Sequence, residues 1–170
     1  MLFRSALPPA VILDLDETVL DNSSFQARVS RSDFAFSEAH WDEWVKEAKA
    51  NAIPGAVAFL HSAVMKGVTP VYITNRVCKS DDPEDPTVKV LKRLRIPYSP
   101  SRLLCKTSTS NKTERRKTVA ASYRILLLIG DDFNDFTAAP ATVGERAELA
   151  RRSEEHTSEL QSRQYLVCRL

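Results

Sequence analysis

Two short acidic clusters carry the residues that could do chemistry. In VILDLDETVLDNS, residues 11–23, Asp14 and Asp16 follow an apolar run directly, with Asp21 close behind. In GDDFND, residues 130–135, Asp131, Asp132 and Asp135 follow a second apolar run. Carboxylates crowded at the end of an apolar strand repel one another and are costly to desolvate, so they need a cation. Hard oxygen donors with few protein atoms suit magnesium, which keeps several waters and binds substrate phosphate. One carboxylate can then attack phosphorus to form an aspartyl-phosphate. A second, two residues further on, can protonate the leaving oxygen and then activate water. The Thr74 hydroxyl and the Lys112 ammonium can hold the phosphoryl oxygens as charge spreads over them.

These side chains need a scaffold that brings distant segments to one edge. Residues 10–13, after Pro8-Pro9, read as a short buried strand. Residues 68–74 and 102–105 read as further strands, and 125–129 as a fourth that ends at Gly130. Helices are predicted over 37–50 with Ser37 as N-cap, over 55–66 between Pro54 and Gly67, over 87–95, and over the basic stretch 112–122. Residues 79–86, KSDDPEDP, read as an exposed acidic loop. Strands alternating with helices predict an α/β fold, a parallel sheet with helices on both faces. Residues 21–53 interrupt it as a polar insert bearing Phe25, Phe34, Phe36, Trp41 and Trp44. In such a sheet, ligands sit beyond the carboxyl ends of the strands, where the strand order reverses. Asp14 and Asp16, the run Thr74-Asn75-Arg76, and Asp131 with Asp132 and Asp135 all fall at strand ends, and Lys112 opens a helix.

Composition excludes some alternatives. With 170 residues the chain can bury a real core, and 43% hydrophobic with 27% charged residues places it among globular domains. A net charge of +2 gives no field for a nucleic-acid polymer or an anionic membrane. Apolar runs are shorter than the roughly 18 residues that span a bilayer. Cys78, Cys105 and Cys168 are odd in number and lack metal-ligand spacing, so they are expected to be buried or incidental thiols. His40 and His61 have no partner at ligand spacing and are expected in surface or packing roles. Trp44, three residues from Trp41 on the predicted helix, is expected in the core.

The motifs resemble the four of the haloacid dehalogenase (HAD) superfamily of phosphatases: DLDET at 14–18, ITN at 73–75, Lys112, and GDDFND at 130–135. DLDETVLDNS, WDEW at 41–44, IPGAVAFL at 53–60, VYITNR at 71–76, SNKTERR at 110–116 and GDDFNDF at 130–136 resemble more closely the class C bacterial acid phosphatases. The resemblance covers nearly all of residues 10–137. It implies a Rossmann-like core with a small α-helical cap, inserted at about 21–53. It also implies a magnesium-dependent acid phosphatase acting on phosphomonoesters, with nucleoside 5′-monophosphates as one substrate class. Asp14 would be nucleophile and metal ligand. Asp16 would be general acid and base, with its backbone carbonyl on the metal. Thr74, Asn75 and Lys112 would bind phosphate. Asp131 would be a side-chain metal ligand, and Asp135 an outer or water-mediated one. Asp132 stands where this branch usually has Asn, so no role carries over to it. Trp41 matches a cap aromatic that holds the substrate, whose partner usually lies near the carboxyl end. Members are outer-membrane lipoproteins facing the periplasm, so a lipid anchor outside this segment is implied.

The two ends resemble something else. Residues 152–170 (RSEEHTSELQSRQYLVCRL) and 2–5 (LFRS) resemble translated sequencing adapter. The expectation is therefore a natural segment of residues 6–151, cut short at both ends, with 1–5 and 152–170 non-native. Three further functions compete. A phosphotransferase or mutase of the same superfamily is disfavoured, though not excluded, by Asp16. A storage or binding relative is disfavoured by Asp14. The last possibility is an inactive fragment.

Overall fold

In the computed structural model, described for residues 7–31, 36–137, 142–145, 147, 148, 151 and 166–168, five strands form the main sheet. They are β1 (Pro9–Leu13), β4 (Thr69–Ile73), β5 (Leu103–Leu104), β6 (Arg124–Gly130) and β7 (Leu166–Cys168), in the order β5-β4-β1-β6-β7. The first four are mutually parallel, with Leu13 level with Tyr72 on one side and with Ile129 on the other. Alternation along the strands supplies a core on each face. Val11, Leu13 and Tyr72 pack with Leu60 of α3 (Ala56–Met65) and with Val88 and Leu91 of α4 (Pro86–Arg93). Ala10, Ile12, Val71 and Ile73 face the other way, towards Val119 of α5 (Thr113–Ser122). Helices therefore cover both faces, as the strand–helix alternation predicts.

The chain runs outward from β1 to β4 and β5, then crosses back to place β6 on the other side of β1. That reversal puts the ends of β1, β4 and β6 around one crevice. Local signals set the helix limits. The Asp85 side chain accepts from the amides of Thr87 (2.8 Å) and Val88 (3.4 Å), so α4 starts at Pro86 out of the acidic loop. Gly67, at φ 74°, supplies the left-handed residue after α3.

The insert is more ordered than its composition predicts. A ribbon of two residues per strand, β2 (Leu20–Asp21) against β3 (Asn51–Ala52), closes its neck. Beyond it lie α1 (Ser23–Arg31), which sequence reasoning missed, and α2 (Glu38–Glu47), which keeps the predicted N-cap in Ser37. Helix α1 fully buries only Phe25, with Val29 one turn on half-buried against the same core, a stripe of two residues that is too short to stand out in the sequence. Phe25 meets Trp41 edge-on at 5.2 Å and lies 6.2 Å from Trp44. Arg28 of α1 pairs with Glu47 of α2, and that partner, with Lys49, holds the Glu47 carboxyl down to about 2.

One expectation changes. Cys78 and Cys105 are not free thiols: they form a disulfide with Cα atoms 5.6 Å apart. It joins the loop after β4 to the end of β5, a pairing that spacing does not reveal. Within the segment read as non-native, Leu166–Cys168 pair antiparallel with β6, Val167 level with Ile129. An open parallel edge is a template for an apolar, β-prone segment. The limits proposed at residues 1–5 lie outside the described residues, as do 152–165 and 169–170.

The disulfide closes a loop with a sequence separation of 27. Replacing both cysteines by serine is expected to lower stability by about 2–4 kcal/mol. Urea unfolding would show this as a lower midpoint, against an unchanged midpoint if the bond contributed nothing.

Candidate active site

The crevice gathers the sequence-predicted residues by continuing the strand ladders past their ends. The Asp14 amide donates to the Ile129 carbonyl at 2.9 Å, and the Thr74 amide to the Leu104 carbonyl at 3.1 Å. Asp14, Thr74 and Lys112 are all buried. The Lys112 Nζ bridges two carboxylates: it donates to Asp14 Oδ1, and to Asp135 Oδ1 at 2.6 Å. An ammonium with so little water must be paired, and removing one partner of such a set costs roughly 3–5 kcal/mol. Lys112 is placed at the mouth of α5 by the turn 109–112, in which Asn111 caps the Thr113 amide at 2.8 Å.

Asp135 sits in a 3-10 turn, Phe133–Asp135. Asp132, whose role sequence left open, caps that turn: its Oδ1 accepts from the Asn134 amide at 2.7 Å. Asp135 Oδ2 returns the favour to the Asp132 amide at 3.1 Å, completing a capping box. The turn folds tightly over Gly130. A Cβ at Gly130 would lie 2.2 Å from Asp135 Oδ2, so Gly130 is required by close approach. Arg116 holds the far side of the turn through the carbonyls of Asn134 (2.8 Å) and Asp135 (3.1 Å).

The carboxylates of Asp14, Asp131 and Asp135 each offer an oxygen within 4.8 Å of the others. Burial pushes the Asp14 carboxyl up, Asp135 and Asp16 add to this, and Lys112 opposes it. Asp131 is raised to about 6, by burial first and then by Asp135. One ammonium does not neutralise three carboxylates. A hard divalent cation on these oxygens fits the charge left over and the donor chemistry.

Asp16 is engaged differently. A tight turn, with Glu17 at φ 55°, brings the chain back on itself, and the amides of Val19 (2.9 Å) and Leu20 (2.7 Å) both donate to the Leu15 carbonyl. The Asp16 side chain is outside the three-carboxylate group and faces Arg76. The metal role that resemblance gives Asp16 runs through its main-chain carbonyl, which this pairing leaves untouched. Arg76 was not singled out in the sequence beyond its place after Thr74. Its guanidinium is buried and forks onto Asp16, Nη2 to Oδ1 at 2.7 Å and Nε to Oδ1 and Oδ2 at 3.0 and 3.1 Å. Asn22, fully buried, donates Nδ2 to Asp16 Oδ1 at 2.9 Å. Asp21 lies outside this set and caps α1 through the Ser23 amide.

At the end of β4, Thr74 Oγ1 accepts from the Arg76 amide at 3.1 Å, which leaves its O–H free to donate. Asn75 Oδ1 accepts from Arg115 Nη2 at 2.8 Å, so its Nδ2 donors turn the other way. Arg115, a further residue that sequence did not single out, also donates to the Thr74 carbonyl at 2.6 Å. Trp41 is half-buried and lies 5.7 Å from the Arg76 guanidinium, so the cap reaches the crevice. Trp44 is in the core, as expected, and His61 meets the Arg95 carbonyl away from the site.

A family model described as HAD superfamily, subfamily IIIB (acid phosphatase) matches residues 2–164. The fold superposes on the class C acid phosphatase from Bacillus anthracis with a TM-score of 0.77 and 33% identity, over 90% of this chain and 64% of that one. The same Bacillus anthracis enzyme with tungstate bound gives the same figures. The chain thus spans 64% of the length of the solved relatives it matches.

Two outcomes test the geometry. The raised Asp131 carboxyl makes the cation-free fold lose stability as pH rises from the ordinary carboxylate range through about 6, and the raised Asp14 acts in the same direction. Asp131 keeps contact with water, so its share is smaller than its shift implies. Protonated carboxyls do not ligate, so magnesium should raise the melting temperature more at about pH 7.5 than at about pH 5. The Glu47 pair acts in the opposite direction, but only below its ordinary 4.5, and cancels in the difference with and without cation. Gly130→Ala should displace Asp135, destabilise the fold by an overpacking cost of about 1–3 kcal/mol that shows as a lower melting temperature, and abolish much of the magnesium response.

Proposed function

The chain belongs to the HAD superfamily, subfamily IIIB, the acid phosphatases, and on that premise we propose that it hydrolyses phosphate monoesters through an aspartyl-phosphate on Asp14. The observation that carries this reading is the convergence of Asp14, Lys112 and a Thr74 hydroxyl free to donate, at the ends of three strand-linked segments. A carboxylate nucleophile needs its oxygen shielded from water, and it needs donors waiting for the oxygens of the phosphoryl group. A relative that binds tungstate, an oxyanion of similar shape and charge to phosphate, supports the same use of the crevice.

Asp14, Asp131 and Asp135 would hold magnesium, which supplies the positive charge that lets a phosphate dianion enter beside carboxylates. Lys112 and Thr74, with the Asn75 amide, hold the non-bridging oxygens. An Asp14 oxygen attacks phosphorus in line, the ester P–O bond breaks, and Asp16 delivers a proton to the leaving oxygen. Asp16 then takes a proton from water as that water attacks phosphorus. The Asp14–phosphorus bond breaks, and inorganic phosphate leaves.

Trp41 at the rim supports small aromatic-bearing esters, nucleoside 5′-monophosphates among them, because its ring offers a stacking face. The disulfide between Cys78 and Cys105 supports an oxidising location, in keeping with the periplasm or an outer-membrane lipoprotein.

Asp14→Asn is expected to abolish turnover in a chain that still folds, with a lower melt because Lys112 loses one of its two buried partners, and chelation by EDTA should remove activity that magnesium restores. Hydrolysis by Asp14→Asn at the parent's rate would refute the mechanism.

A further inference from the structure

Asp16 is held by groups that the reaction as described above does not use. Its two oxygens are not equivalent. Oδ1 receives three donors: Arg76 Nη2 at 2.7 Å, Asn22 Nδ2 at 2.9 Å and Arg76 Nε at 3.0 Å. Oδ2 receives a single shared contact, from the same Nε at 3.1 Å. An oxygen with three donors has no lone pair left for a proton, whereas Oδ2 has one to spare.

The holding groups are themselves held from the cap. Trp44 Nε1 donates to Asn22 Oδ1 at 2.8 Å, and Arg76 Nη2 donates to the same oxygen at 3.3 Å. Both are donors only, so Oδ1 of Asn22 must face them and Nδ2 must face Asp16. The Arg76 side chain is 1% exposed, and the Trp41 ring lies against its guanidinium. The planar fork of Arg76 therefore has one orientation, fixed by the cap on one side and by Asp16 on the other.

We propose that Arg76, seconded by the Trp44–Asn22 pair, is the positioning residue that commits Asp16 Oδ2 to proton transfer, and that the cap sets this alignment. The inference rests on the phosphatase reading given above. As the ester bond breaks and phosphorus bonds to Asp14, the proton on Asp16 Oδ2 moves to the leaving oxygen. As water adds to phosphorus and the Asp14–phosphorus bond breaks, Oδ2 takes a proton from that water. Oδ1 stays bound to Arg76 and Asn22 through both steps.

The test compares kcat/KM for two esters in the full chain with magnesium: an alkyl phosphate, whose alkoxide needs a proton to leave, and p-nitrophenyl phosphate, whose phenolate does not. Arg76→Lys keeps the charge and loses the fork. It should lower kcat/KM for the alkyl ester about tenfold more than for the aryl ester, a fraction of the full worth of a general acid. Trp44→Phe keeps the buried ring and loses the N–H, and should shift the ratio the same way by a smaller factor. A merely structural role would lower both esters equally, and an unchanged ratio in Arg76→Lys overturns the proposal. Should Arg76→Lys fail to fold by its thermal melt, the ratio in Trp44→Phe decides in its place. Two reference variants separate this proposal from the reading beneath it. Asp14→Asn must be inactive on both esters, and activity there would sink the phosphatase mechanism itself. Asp16→Asn must show the larger alkyl-ester loss. If both references behave and the ratio in the Arg76 and Trp44 variants stays flat, the positioning role alone is wrong.

Discussion

The Lys112 ammonium between Asp14 and Asp135 is the contact on which the rest of the site depends. Three carboxylates brought to one crevice would push the ends of β1 and β6 apart if nothing opposed them. Lys112 cancels part of that repulsion with a charge that stays in place when substrate is absent. Burial first, and the remaining repulsion from Asp135 second, keep Asp131 raised, and the uncancelled charge leaves an appetite for a cation. The fold is arranged to deliver this balance. Asp14 continues the β1–β6 ladder, Lys112 caps α5, and Gly130 gives Asp135 the room to fold back. None of these placements is independent, because each fixes an atom within hydrogen-bonding distance of another.

A second circuit runs beside the first without sharing its charges. Asp16 pairs with Arg76 rather than with Lys112, so the two aspartates of one motif answer to different cations. Two residues apart in sequence, they would share one face if the strand ran on; β1 ends at Leu13 and the tight turn at Leu15 takes Asp16 to a different partner. The separation allows one carboxylate to be a nucleophile while the other moves protons, which is the division of labour the proposed mechanism needs.

Much of this was legible in the residues. Strands β1, β4 and β6 were readable because short apolar runs ended in acidic or hydroxyl residues, and the acids showed where the strands stop. Helices α2 and α3 were readable from Ser37 and Gly67, whose cap chemistry is local, whereas Pro86, read as the end of the acidic loop, is the first residue of α4. What escaped was non-local or unpatterned. Arg76 meets Asp16 across a separation of 60 residues, and Cys78 meets Cys105 only because β4 and β5 are neighbours. Helix α1 packs on the core through only Phe25 and Val29, and the β2–β3 neck is two residues per strand, too short for any period to register. Asp132 could not be assigned from its type, since its capping role is visible only once the turn over Gly130 is folded.

The neck has a further meaning. Leu20 lies level with Ala52 and Asp21 with Asn51, so the insert leaves the core and returns to it at adjacent points, about 5 Å apart. Such an insertion places almost no demand on the sheet. The stretches of the insert that touch neither the core nor Arg76 can lengthen or shorten at a cost that grows only logarithmically with their length. The scaffold thus separates two burdens: the strand ends carry the clustered charges, while the insert answers for a few contacts, from Asn22, Trp41 and Trp44, that reach Asp16 and Arg76.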